Sequence, residues 1–245
     1  MTRGDGFAYP GQELDIFAAA SHWKAYWASR IRPWIRGDVL EVGAGLGANT
    51  AFLQNSDVCS WHCVEPDPGL AGRLANAVAR LRVCSVSRGT IASVVGHQFD
   101  LILYIDVLEH IEADRCELAT AADLLREGGH IVVVAPAHQF LFSEFDAAIG
   151  HFRRYNGASL RACSPPDCQL RAMLYLDCIG LFASAANRIL LRQSQPTAAQ
   201  IRRWDSYMVP LSRAIDPLLR YSVGKTICAV WERACEPGTC RRQRG

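Results

Sequence analysis

The stretch Val39-Leu40-Glu41-Val42-Gly43-Ala44-Gly45-Leu46-Gly47-Ala48-Asn49-Thr50 constrains this chain more than any other. A short apolar run (Val39, Leu40, Val42) enters three glycines at alternate positions, and a helix-compatible segment follows. Glycines in a strand-to-helix turn admit positive φ and let a ligand approach where a Cβ would block it. The helix beyond offers its first N–H groups to polar ligand atoms. Glu41 falls at the strand end, where a buried carboxylate is costly without a partner. A carboxylate there suits a ligand with a cationic or N–H-bearing portion better than a pyrophosphate.

At 245 residues the chain is long enough for one sizeable α/β domain. A net charge of +2 gives no field that argues for nucleic acid. The close cysteine pairs, Cys59/Cys63, Cys163/Cys168 and Cys235/Cys240, form no C-x-x-C unit, so no metal site is expected. With no leader pattern, the expectation is a reducing cytoplasm. The longest apolar region, 173–191, is interrupted by Asp177, Gly180, Asn187 and Arg188 and does not read as a membrane span. A peripheral membrane contact stays open, and the sequence leaves the oligomeric state open.

A Gly-rich start (1–11) precedes apolar and aromatic residues at helical spacing from Gln12 to Ile35: Leu14, Phe17, Ala18, Trp23, Tyr26, Trp27 and Ile31. These read either as packing against a sheet or as a lid helix that shields a bound ligand, and 1–37 is set apart as that region from a main domain over 38–245. After the glycine loop, 50–55 continues a helix and 58–64 reads as the second strand. It ends in Glu65-Pro66-Asp67, about 20 positions past the glycines, where an acidic residue is placed to accept ribose hydroxyls. A helix over 70–81 and a strand over 83–86 follow, then the continuous apolar strand 99–105, of the kind buried in parallel sheets. A helix over 114–126 leads to a fifth strand near 131–134. Residues 171–179 read as a sixth strand and 226–231 as a seventh. The 181–224 segment between them is long enough to carry its own structure, and helices are expected over 181–191 and 201–219. A basic tail follows Glu236.

The string E-V-G-A-G-L-G from Glu41 resembles the nucleotide-binding loop of class I S-adenosylmethionine (SAM) dependent methyltransferases. Its glycines are spaced two and two, not two and three as in the dinucleotide fingerprint. F-D-L-I-L-Y-I-D-V-L-E-H-I, from Phe99 to Ile111, looks like the fourth-strand motif of the ubiquinone and menaquinone methyltransferase-like branch. Leu124-Leu125-Arg126-Glu127-Gly128-Gly129 is similar to its turn into strand five, and the G-H-x-R-R-Y string of Gly150 to Tyr155 recurs in a subset of these enzymes. The similarity runs from about Gln12 to Tyr155.

The resemblance implies a doubly wound α/β fold of the Rossmann-like methyltransferase type. Its seven-stranded, mostly parallel sheet would carry a helical insert between strands six and seven. It implies SAM as cofactor and methyl transfer to an O or N atom of a small or lipid-linked metabolite. Glu41, Gly43, Ala44, Gly45, Gly47, Glu65, Pro66, Gly89, Thr90, Ile91, Asp106, Val107 and His110 are then the expected cofactor side. His138, Asp146 and His151 are the candidates to hold or move a proton. Arg153, Arg154, Tyr155 and Trp23 are the candidates for the acceptor. The alternatives are an NAD-dependent oxidoreductase and an inactive SAM-binding scaffold subunit.

Overall fold

In the computed structural model of the chain, residues 9, 13–188 and 197–235 are described. The Gly-rich start apart from Tyr9, the end of the expected 181–191 helix and the basic tail lie outside them. The strands are β1 (Gly37–Val42), β2 (Val58–Glu65), β3 (Cys84–Arg88), β4 (Phe99–Ile105), β5 (Leu125–Pro136), β6 (Cys168–Leu176) and β7 (Thr226–Arg233). They form one sheet in the order β3-β2-β1-β4-β5-β7-β6. The first five run parallel, and β7 is inserted antiparallel between β5 and β6. The expected fold class is the observed one.

The helices are α1 (Glu13–Ala18), α2 (Ser21–Ile31), α3 (Thr50–Leu53), α4 (Pro68–Val78), α5 (Asp114–Asp123), α6 (Glu144–Ala148), α7 (Gly157–Ala162), α8 (Cys178–Ala186), α9 (Ala198–Arg203) and α10 (Val209–Ile215). Successive strand residues face opposite sides, so each central strand feeds two cores. Leu40, Val42, Ile102, Tyr104, Ile131 and Val133 pack towards α5 through Leu118, Ala121 and Ala122. Val39, Leu101, Leu103, Val132 and Val134 pack towards α2 and α4 through Tyr26, Trp27, Ile31, Leu74 and Val78. Double-sided burial is why β4 reads as an apolar run from Leu101 to Ile105.

Three of the boundaries that differ from expectation have a visible cause. The single helix expected over 12–35 is broken at Ala19-Ala20. The first N–H groups of α2 find their acceptor far away, His22 and Trp23 donating to Asp205 at 3.2 and 2.8 Å. The helix expected to Arg126 stops at Asp123, because Leu125 already pairs with Phe99 and the segment up to His130 bulges out of the ladder around Gly128 (φ +73°). The sixth strand ends at Leu176, and Asp177 turns left-handed (φ 67°) to cap α8 by accepting the Gly180 N–H at 3.0 Å.

The insert is helical, as expected. Residues Ala198–Ile215 run through α9, a π-spaced turn at Trp204–Met208, and α10. Its carboxylates hold the rest of the face together. Buried Asp216 accepts the Tyr26 hydroxyl at 2.6 Å and the Asp177 N–H at 2.7 Å. Asp177 in turn accepts from Trp204 Nε1 and Ser212 Oγ, each at 2.7 Å. No helix among the described residues is long and apolar enough to cross a membrane.

Candidate active site

A cleft of about 410 Å³ opens at the carboxyl ends of β1, β2 and β4, within the size range of small-molecule sites. Its floor is the glycine turn and Ile105-Asp106-Val107; its roof is Leu14, Phe17, Trp23 and Trp27 from α1 and α2. Position is dictated by topology, since open α/β sheets leave their crevice where the strand order reverses.

The three glycines have different reasons to be glycine. All have positive φ. A Cβ on Gly43 would lie 2.8 Å from the Val107 side chain, and one on Gly47 would lie 2.8 Å from Leu74. A Cβ on Gly45 would meet only Leu14 at 3.9 Å and would project into open cleft. Gly45 is thus the one whose missing side chain leaves room for a ligand, whereas Gly47 permits α4 to pack and does not line the cleft. Glu65, almost fully buried, also faces the cleft. Its two oxygens accept the Gly45 N–H at 2.9 Å and the Asp67 N–H at 3.0 Å, and burial pushes its carboxyl above the ordinary range. Each carboxylate oxygen has a second lone pair for a ligand hydroxyl.

Ala44, Pro66, Asp106, Val107, His110 and Trp23 line the cleft as well. Asp106 takes positive φ (54°) at the end of β4. Its side chain is exposed to the cleft and surrounded by the residues of the cleft floor, and desolvation raises its carboxyl to about 6.

Several expected cofactor residues face elsewhere. Glu41 is buried beneath the turn, its Oε2 accepting from Thr50 Oγ1 at 2.6 Å and Trp61 Nε1 at 2.9 Å, and burial raises its pKa to about 7. Its partner is the protein itself, and it does not line the cleft. Gly89, Thr90 and Ile91 also lie off the cleft walls; Ile91 is in the core and Thr90 is exposed.

The polar string after β5 folds into its own network. Asp146, fully buried, accepts from Arg154 Nε (2.9 Å) and Nη2 (3.1 Å), bonds His151 Nδ1 at 2.9 Å, and caps α6 through the Ser143 N–H and hydroxyl. Arg153 pairs with Asp114 at 2.6 Å, and the Tyr155 hydroxyl donates to the same carboxylate at 2.9 Å. Arg153, Arg154 and Tyr155 therefore brace the loop and do not line the cleft. His138 stacks on Tyr175 and bonds the Gly224 carbonyl at 3.0 Å, also off the cleft. The His151 ring stands edge-on to His110, with centroids 4.5 Å apart.

Sequence reasoning passed over Lys24, Asn49 and Phe152, which line the cleft, and Glu109 behind it. Glu109 is fully buried, neither of its oxygens has a hydrogen-bond partner, and desolvation pushes its carboxyl well above the usual range. Its place in the resembled motif was its only sequence signal.

Residues 40–131 match a family described as a methyltransferase domain. The matched segment covers a little over a third of the chain. The match spans the glycine turn, Glu65 and β4, which build the cleft. Solved structures share the fold of this chain over most of its length. The N-methyltransferase NodS from Bradyrhizobium japonicum WM9, in complex with S-adenosyl-L-homocysteine (SAH), is 15% identical with a TM-score of 0.57, over 92% of this chain and 99% of that one. Geranyl diphosphate methyltransferase in complex with SAM is 13% identical with a TM-score of 0.62, over 95% and 93%. Coclaurine N-methyltransferase bound to N-methylheliamine and SAH is 14% identical with a TM-score of 0.59, over 87% and 72%. No curated protein matches the sequence.

Proposed function

We propose that this methyltransferase domain binds SAM in the cleft and methylates an oxygen or nitrogen of a small or lipid-linked metabolite. The observation that carries the reading is the pairing of Gly45 with Glu65: a cradle a Cβ would fill, beside a carboxylate whose oxygens keep free lone pairs. A nucleoside fits that pair, its ribose hydroxyls donating to Glu65 and its substituents lying over the glycine turn. SAM, when bound, supplies an activated methyl group on a sulfonium.

The chain's share of the work is to bind, orient and exclude water, and orientation alone can supply roughly 7–11 kcal/mol of a barrier. Leu14, Phe17, Trp23 and Trp27 close the cleft against water. Asp106 faces the cleft and is the group placed to take a proton from a hydroxyl or ammonium acceptor. This role replaces His138 and Asp146 in the reading, since both are committed to other partners off the cleft. The apolar roof favours an acceptor with an apolar portion. In keeping with a small-molecule acceptor, two of the similar structures are named N-methyltransferases and one a geranyl diphosphate methyltransferase.

The test is thermal unfolding with SAH and, separately, with NAD(H). Ligand at about 100 times Kd adds roughly 2.7 kcal/mol, or about 5–11 °C for a chain of this size. A shift with SAH alone is expected. A shift with NAD(H) alone would overturn the reading.

A further inference from the structure

Beside the cleft lies a cluster made by two segments 41 residues apart in sequence. Glu109 and His110 follow β4, and His151 follows α6. Their candidate ligand atoms all lie within 4.8 Å of one another, with His151 Nε2 3.8 Å from Glu109 Oε1. Three donors each at about 2.1 Å from one cation are themselves roughly 3–4 Å apart, so side-chain shifts on the order of an ångström bring this set to bonding geometry.

We infer that Glu109, His110 and His151 form a divalent transition-metal site that opens onto the cleft. Three observations beyond the clustering point there. A fully buried carboxylate without a hydrogen bond to either oxygen is costly, and a cation is the partner it lacks. Both imidazoles are backed in the way metal-bound histidines are: Asp146 takes the Nδ1 proton of His151, and the Gly150 carbonyl faces a ring nitrogen of His110. Each ring keeps one nitrogen lone pair. Finally, the two segments are locked side by side by the backbone, the Phe152 N–H donating to the Glu109 carbonyl at 2.8 Å. The nearby Arg154 is not a free opposing charge, because Asp146 holds it through two hydrogen bonds.

Two imidazoles and one carboxylate suit zinc, cobalt, manganese or ferrous ions, and three protein ligands leave positions open. His110 is the member that lines the cleft, so those positions meet it on the His110 side. An oxygen-bearing acceptor, one with a hydroxyl or carboxylate, is what they would hold. This last step rests on the methyl-transfer reading; the metal site itself does not.

The test uses the untagged full chain after chelator treatment, titrated with Co²⁺ and Zn²⁺ by calorimetry, with the visible d–d absorption of Co²⁺ as a second readout. One equivalent is expected to bind and to give a visible band. Glu109→Gln, which preserves shape, and His151→Ala are each expected to weaken binding at least tenfold while the Glu109→Gln variant keeps its affinity for SAH. Absence of stoichiometric Co²⁺ and Zn²⁺ binding, or unchanged affinity in the Glu109→Gln variant with its native circular dichroism, overturns the inference. SAH binding without metal binding would sink the metal site and leave the methyltransferase reading standing; metal binding without SAH binding would do the reverse.

Discussion

Glu65 and Glu41 show how two carboxylates of one turn divide their work. Glu65 faces the cleft, so Glu65→Ala should weaken SAH binding by about 10–150-fold, the range set by roughly 1.5–3 kcal/mol for hydrogen bonds to a charged group. Calorimetry showing unchanged affinity would remove its ribose role. Glu41 faces the protein, and its effect is on stability. Its pKa is raised to about 7 by burial, so the folded chain holds this proton more tightly than the unfolded one. Stability from this group is therefore greatest below about pH 4.5 and falls as pH rises towards 7, by on the order of 3 kcal/mol. Glu41→Gln removes the titration and keeps an acceptor for Thr50 and Trp61. Its Tm relative to the parent should climb between pH 5 and 8 by about 6–12 °C; parallel Tm curves would refute the assignment. Both residues were legible as acidic positions of the loop. Which one faced the cleft was not, because that depends on Trp61 from the neighbouring strand pointing its Nε1 at Glu41.

At the level of elements, the strands and their types could be read from apolar runs and glycine punctuation, and β4 most plainly. The ends could not, since each was decided by a distant partner. The break before α2 has no capping side chain of its own; Asp205, more than 180 residues away, accepts the His22 and Trp23 N–H groups. Capping by a remote carboxylate leaves no local signal. Asp205→Ala should cost about 0.5–2 kcal/mol as the loss of a cap, lowering Tm by about 1–8 °C. Because α2 carries Trp23 and Trp27 into the cleft roof, SAH affinity should fall as well. A Tm change with unaltered SAH affinity would show that the cap stabilises the helix without shaping the cleft. The G-H-x-R-R-Y string was similarly visible as a motif, while its role in bracing the loop through Asp146 and Asp114 emerges only from the packing.

For the whole molecule, these caps join parts that are far apart in sequence into one face. The N-terminal aromatics form the cleft roof, and the 198–216 insert holds them through Asp205 and Asp216. Asp177, at the junction of β6 and α8, is bonded from the same insert through Trp204 and Ser212. A ligand that seats α2 against the glycine turn must therefore also steady the insert, although the insert itself does not line the cleft. Hydrogen exchange reports such coupling directly, because amide protection follows local opening. Saturating SAH should slow exchange in the 42–50 turn, in 21–31 and in 198–216 together. In Asp205→Ala the turn should remain protected while the effect on 198–216 shrinks. Protection confined to the turn in the parent protein would mean that roof and insert open independently, and the insert would then be an appendage to the site, without influence on how tightly it closes.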